Sequence, residues 1–301
     1  MYLMRYSRNL IQVIILLCFA ALLAACNGSS TSTGTMSLAV NDTPVDGAQM
    51  VVVAFTGVDL MSSGNLQSFP FATERSVNLL SLQGSASAQL LSGVMVPAGN
   101  YQWIRLDIDP ANSYIITSTG ARYPLDIPSG SQTGLKLVSG FTVDQGSQSD
   151  FLVDFNLRQS LTESNSGGTT SYLLNPALRL INLETAGSVS GTAATTLSIN
   201  GESINNTACD PAVYVYPQGT TVFNGFDVSV SGGTTPIASE TLSLDSSTGL
   251  YEYTVGFLAP GTYVLALTCA GNDTSGATSL AVILPQNVTI TANTTATVNF
   301  T

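Results

Sequence analysis

From Leu10 to Leu23 the chain is a nearly unbroken apolar run; beyond Gly34 it becomes a succession of short alternations between apolar and small polar residues. The first pattern, behind Arg5 and Arg8 and ahead of Ala24 and Ala25, predicts a secretory signal. It falls short of the ~20 residues that a membrane-spanning helix requires. The second pattern has the period of a pleated strand. TMSLAV, MVVVAFTGVDL and FLVDFNL each read as a strand, with Pro44 and Gly47 turning the chain between the first two. Met61 to Gly93 is less regular and predicts short strands or a helical turn on a sheet edge. SYIITSTGARYPLDI predicts a hairpin turning at Thr119-Gly120, and SLTESNSGGTT between Leu157 and Tyr172 a mobile polar loop.

One pattern occurs twice. VPAGNYQWIRLDI (Val96 to Ile108) and LAPGTYVLALTC (Leu258 to Cys269) share a Pro and Gly turn, a Tyr two residues after the Gly, and an apolar strand. The Pro and Gly separate two strands, and the Tyr lies across the sheet edge with its hydroxyl free to hydrogen-bond. A terminal hairpin is expected after each copy, from Phe141 to Leu157 and from Val288 to Phe300. The expected class is therefore all-β: two tandem β-sandwich modules, immunoglobulin- or transthyretin-like, at residues 35–184 and 185–301. A signal at 1–25 and a flexible, Ser- and Thr-rich tether at 26–34 precede them.

Leu23-Ala24-Ala25-Cys26 resembles the lipobox of bacterial lipoprotein signal peptides. The resemblance implies cleavage before Cys26, lipid (palmitate) on its thiol and a membrane partner reached through that lipid. Asn27 is not the aspartate that retains such proteins in the inner membrane, so outer-membrane placement is expected. GTMSLAVNDTPVDGAQMVVVAFTGVDL, PAGNYQWIRLDI, YPLDIPSGSQTGLKLVSGF and DFLVDFNLR resemble successive blocks of an uncharacterised bacterial lipoprotein family, the domain of unknown function numbered four-three-eight-two, over about residues 35–184. That family brings no catalytic residues with it. APGTYVLALTC resembles the carboxypeptidase-regulatory, transthyretin-like sandwiches.

Composition narrows the chemistry. The chain has no histidine, 8 basic and 19 acidic residues, and a formal charge of −11. Nucleic acid is bound by clusters of Lys and Arg; here Lys136 is the only lysine and the arginines stand apart, so no nucleic-acid partner is expected. Without His the commonest general base and metal ligand are missing. Cys209 and Cys269 remain for the folded body, and an exported pair predicts a disulfide. The aspartates at 107, 109, 126, 144, 150 and 154 are scattered and lack a calcium-loop pattern, so no metal and no cofactor is expected.

Alternation along Tyr101 to Ile108 places Tyr101, Trp103, Arg105 and Asp107 on one face, opposite Gln102, Ile104, Leu106 and Ile108. An aromatic and charged row of this kind, with the nearby PSGSQTG loop (Pro128 to Gly134), is the candidate binding surface for an envelope protein or glycan. Lys136 is expected on a strand with its amine in water. The functional expectation is a non-enzymatic binding, adhesion or scaffold module of the envelope. A glycan hydrolase of the envelope is the alternative.

Overall fold

The structure, a computed structural model, describes residues 32–43, 47–127, 134–166, 169–175, 177–226, 231–269 and 280–301. Among the described residues it is all-β, apart from one α-helical turn at Leu157–Ser160 and two short 3-10 turns. The expected signal, Cys26 and most of the expected tether lie outside the described residues.

In the first half, β1 (Thr33–Thr43) lies inside a four-stranded sheet. Its neighbours are β4 (Ala88–Pro97), antiparallel, and β11 (Gln148–Asn156), parallel; β14 (Leu178–Asn182) continues the sheet beyond β11. A larger sheet runs through β12 (Leu161–Ser166), β13 (Thr169–Leu174), β8 (Arg122–Asp126), β7 (Tyr114–Thr117), β2 (Ala48–Ser62), β6 (Trp103–Ile108) and β9 (Leu135–Leu137). Strand β3 (Asn65–Asn78) flanks β2, and β5 (Gly99–Tyr101) pairs with β10 (Phe141–Val143).

The core between these sheets follows the period-two pattern. Met36, Leu38 and Val40 come from β1, Phe151, Val153 and Phe155 from β11, and Ile104, Leu106 and Ile108 from β6. On β2 the buried set runs Val51, Val53, Phe55 and then Val58, Leu60. The pairing register slips between Phe55 and Gly57, and that bulge adds the one residue needed to return the later side chains to the core.

The second half is a smaller two-sheet assembly. One sheet is ordered β20 (Ser243–Asp245), β21 (Leu250–Leu258), β15 (Gly187–Ala194), β24 (Thr295–Thr297); the other is β19 (Ala238–Thr241), β18 (Ala212–Pro217), β22 (Gly261–Thr268), β23 (Ile283–Ile290). The two-residue strands β16 (Ser198–Ile199) and β17 (Glu202–Ser203) form a small hairpin beside them. Cys209 and Cys269 are joined by a disulfide with Cα atoms 4.7 Å apart, as the sequence predicted.

The two halves share a skeleton. In each, the opening strand pairs parallel with the closing one (β1 with β11, β15 with β24) and antiparallel with the strand before the Pro and Gly turn (β4, β21). The expected terminal hairpins are therefore overturned. β10 and β11 belong to different sheets, as do β23 and β24. The opening strand captures the turn between them: Thr35 N–H donates to Ser147 O and Gly146 N–H to Thr33 O, while Ser188 N–H donates to Thr294 O and Asn293 N–H to Ala186 O. A glycine permits this approach in each half. A Cβ on Gly34 would lie 2.4 Å from Asp144 O, and one on Gly187 2.5 Å from Thr291 O. Thr33 and Gly34, expected in the tether, are strand residues for this reason.

Two other expectations also change. Strands β12 and β13 pair antiparallel, from Leu161 opposite Leu174 to Ser166 opposite Thr169, where a loop was expected. The less regular stretch contains the 14-residue strand β3, longer than the short strands expected, and after it the expected helical turn, of 3-10 type, at Leu79–Ser81. The hairpin at Thr119-Gly120 is present, with Thr117 N–H bonded to Ala121 O.

Candidate functional site

Strand β6 alternates as the sequence implied from residue 103 onward: Ile104, Leu106 and Ile108 are buried, and Trp103, Arg105 and Asp107 are half-buried on the opposite face. Tyr101 does not join them. The chain leaves strand geometry at Gln102, between β5 and β6, so the alternation resets. Tyr101 turns into the core at 2 % exposure, stacks on Phe141 with ring centroids 4.9 Å apart, and donates its hydroxyl to Pro97 O at 2.8 Å. Tyr263 makes the same bond to Ala259 O at 2.8 Å, so the repeated Tyr is a structural clasp in both halves.

What Trp103 and Arg105 meet is supplied by strands distant in sequence. The cross-strand register sets Ser68 of β3, Asp59 of β2, Arg105 of β6 and Lys136 of β9 in one row. Arg105 pairs through Nη2 with the buried Asp59 carboxylate, and its Nε lies 3.1 Å from Asp107 Oδ1. Ser68 Oγ donates to Asp59 Oδ1 at 2.5 Å. Burial and the neighbouring Asp59 charge raise the Asp107 carboxyl above its ordinary range, against the lowering pull of Arg105. The exposed Lys136 places Nζ 4.5 Å from the Trp103 ring centroid, and Arg105 Cζ is 5.7 Å from it. The Lys136 amine thus rests on an aromatic ring.

The site is a rigid, half-exposed plate of one indole, two cations and two carboxylates whose charges balance. Asp59 and Lys136 were invisible as members because only strand pairing brings them beside Arg105. Of the PSGSQTG loop, 128–133 lie outside the described residues. Gly134 closes onto β6, where a Cβ would come 2.5 Å from Leu106 O.

The scattered aspartates have other employment. Asp154 is buried and paired with Arg179, Asp109 accepts the N–H of Ala111 at a short turn, and Asp150 accepts from Gln148. Among the described residues no group of three or more His, Cys, Asp or Glu is placed to hold a metal.

The halves are also fastened to each other. Phe257, with Leu183 and Ala186, packs on Ala39, Leu152 and Ile181 of the first sheet. The buried Arg158 guanidinium donates to the Tyr214 hydroxyl. Glu240 of β19 accepts the N–H of Gly84 from the first half.

Architecture and site together define a two-part all-β protein that carries a surface plate of aromatic and charged side chains. Residues 33–176 match the family described as Domain of unknown function (DUF4382), a span running from β1 through β13. No curated protein sequence matches the chain. Among solved structures, GBS52, the minor pilin of Streptococcus agalactiae, is similar at 14% identity and a TM-score of 0.19, over 88% of this chain and 94% of the pilin. The fimbrial anchor protein Mfa2 from Porphyromonas gingivalis is similar at 12% identity and a TM-score of 0.19, over 85% of this chain and 83% of its own. A leucine-rich repeat protein from Bacteroides thetaiotaomicron gives a TM-score of 0.25 at 13% identity, and the chain spans about a quarter of its length. At such TM-scores the likeness carries no functional weight. No helix among the described residues is long and apolar enough to cross a membrane.

Proposed function

We propose that this is a lipid-anchored protein of the bacterial outer membrane, working without catalysis as a binding, adhesion or scaffold module, with two β-sandwich modules meeting near residue 185. The observation that carries the reading is the plate around Trp103, Arg105, Asp107 and Lys136, held on four strands. Trp and Arg on rigid backbone are the residues that most often dominate recognition. Asp59 and Asp107 both face Arg105, so neither stands free as the proton donor that a glycan hydrolase needs. The disulfide supports an oxidising compartment, and the apolar run ending at Cys26 supports export and lipidation. Because the lipid enters at the N-terminus, the first module lies nearest the membrane, and the second, a transthyretin-like sandwich in this reading, braces it from the far side.

The test is crosslinking in intact cells, with identification of what attaches to the wild type and to a Trp103→Ala, Lys136→Met double variant. Loss of the crosslinked partner from a variant with unchanged circular dichroism is the expected result. The same partner captured at the same yield would refute the plate as binding surface. For the anchor, Cys26→Ser should abolish labelling by a palmitate analogue; a labelled variant would refute lipidation there.

A further inference from the structure

The outer face of the sheet β14-β11-β1-β4 holds a groove of about 510 Å³, lined by residues other than those of the plate and beside the junction of the two halves. Its polar lining includes Ser37 of β1, Gln89 and Ser92 of β4, Gln148 and Asp150 of β11, and Glu184. We infer that this groove binds an uncharged glycan segment. The inference is independent of the plate.

Three observations carry it. First, the polar groups are fixed before any ligand arrives. Gln148 Nε2 donates to Asp150 at 2.9 and 3.2 Å and lies 3.4 Å from Ser37 Oγ, which also accepts the N–H of Gly93 at 3.1 Å. Gln89 Nε2 donates to Leu91 O at 2.9 Å, which orients its amide and leaves the amide oxygen as an acceptor. Two residues apart on one face of β11, Gln148 and Asp150 leave the Gln148 amide oxygen and the outer carboxylate lone pairs as acceptors for sugar hydroxyls, and the second amide hydrogen of Gln89 supplies a donor beside them. Second, the lining contains two carboxylates and no cation. Carboxylate-bearing or sulfated chains are therefore repelled, which selects neutral sugars. A basic peptide is the poorer fit, because a sheet face offers no free backbone N–H or C=O to pair with a peptide chain. Third, the groove wall is fixed from both sides. Leu183 N–H donates to Asp150 O at 2.8 Å, and Asn293 of the second half donates its side-chain amide to Glu184 O at 2.8 Å. The second half thereby shapes a site whose polar lining all belongs to the first.

The experiment is ligand-observed NMR with the full chain in detergent. The probes are maltohexaose, cellohexaose and a tetramer of N-acetylglucosamine, with polygalacturonate oligomers and hexalysine beside them. At least one neutral probe should bind with a Kd in the millimolar range, of order 0.1–5 mM, as expected for a few hydrogen bonds without an aromatic platform. Gln148→Ala, and separately the exposed Gln89→Ala, should weaken that binding roughly fivefold to tenfold, while Trp103→Ala leaves it unchanged. The inference is overturned if no neutral probe binds, if only the acidic or basic probe binds, or if both Gln variants bind like the wild type. Loss of binding on Trp103→Ala alone would move the glycan to the plate and equally overturn it.

Discussion

Glu240 couples the two halves to pH. Its carboxylate accepts the N–H of Gly84 across the junction and that of Thr241 within its own half, yet burial outweighs both bonds and pushes its pKa from 4.5 up to about 7. The facing side chains offer no compensating cation. Gln83 and Ser85 come from the first half, and Ser243, Tyr253 and another carboxylate, Glu252, from the second. Because the folded protein holds this proton more tightly than the unfolded chain, the stability linked to Glu240 is fully present below about pH 4.5. It is lost progressively as pH rises through 7. A difference of about 2.5 pKa units corresponds to about 3 kcal/mol between those limits. For a unit of 150–250 residues, ~2–4 °C of Tm per kcal/mol makes this a fall of about 6–12 °C between pH 4.5 and 8. Glu240→Gln keeps a carbonyl acceptor for Gly84 and never ionises. Melting curves at half-unit steps should therefore show the variant matching the wild type near pH 4.5 and exceeding it near pH 8. The difference between the two curves isolates Glu240 from Asp107, Asp154 and Asp210, whose carboxyls are also raised by burial. If the two curves stay parallel across the range, the assignment of this pH dependence to Glu240 is wrong.

Three further outcomes follow from the packing. Reducing Cys209–Cys269, which closes a loop with a sequence separation of 60, should cost the second half about 4 kcal/mol by the chain-entropy model; hydrogen exchange should rise in β18 and β22 and stay flat in β1 and β2, and uniform loss across both halves would contradict it. Gly187→Ala drives a methyl to 2.5 Å from Thr291 O and should destabilise by about 1–3 kcal/mol, whereas Gly187→Ala with an unchanged denaturation midpoint would mean that β15 and the 291–294 turn are not packed as described. Tyr101→Phe removes a hydroxyl from a buried ring and strands the Pro97 carbonyl, at about 1–2 kcal/mol; the same change at the more open Tyr263 should cost less, and the reverse order would refute the shared clasp.

Which residues fold inward was written locally. Alternation in β1, β6 and β11, the repeated turn with its Tyr, and the lone pair of body cysteines gave the class, the core-facing residues and the disulfide, because side-chain period and turn chemistry are properties of a few neighbouring residues. Which strands become neighbours was not. Gly34 and Gly187 look like ordinary turn glycines until the chain's later segments are laid against them, and only that contact sends β11 and β24 across to the opposite sheet. A break of one residue at Gln102 removed Tyr101 from the predicted surface, while the bulge at Phe55–Gly57 kept β2 in phase; neither leaves a mark in composition. Asp59 and Lys136 lie 46 and 31 positions from Arg105, and no local pattern links them. Register across two strand boundaries decided that they share one plate, since hydrogen-bonded pairing fixes neighbours by geometry that the sequence expresses only through the whole fold.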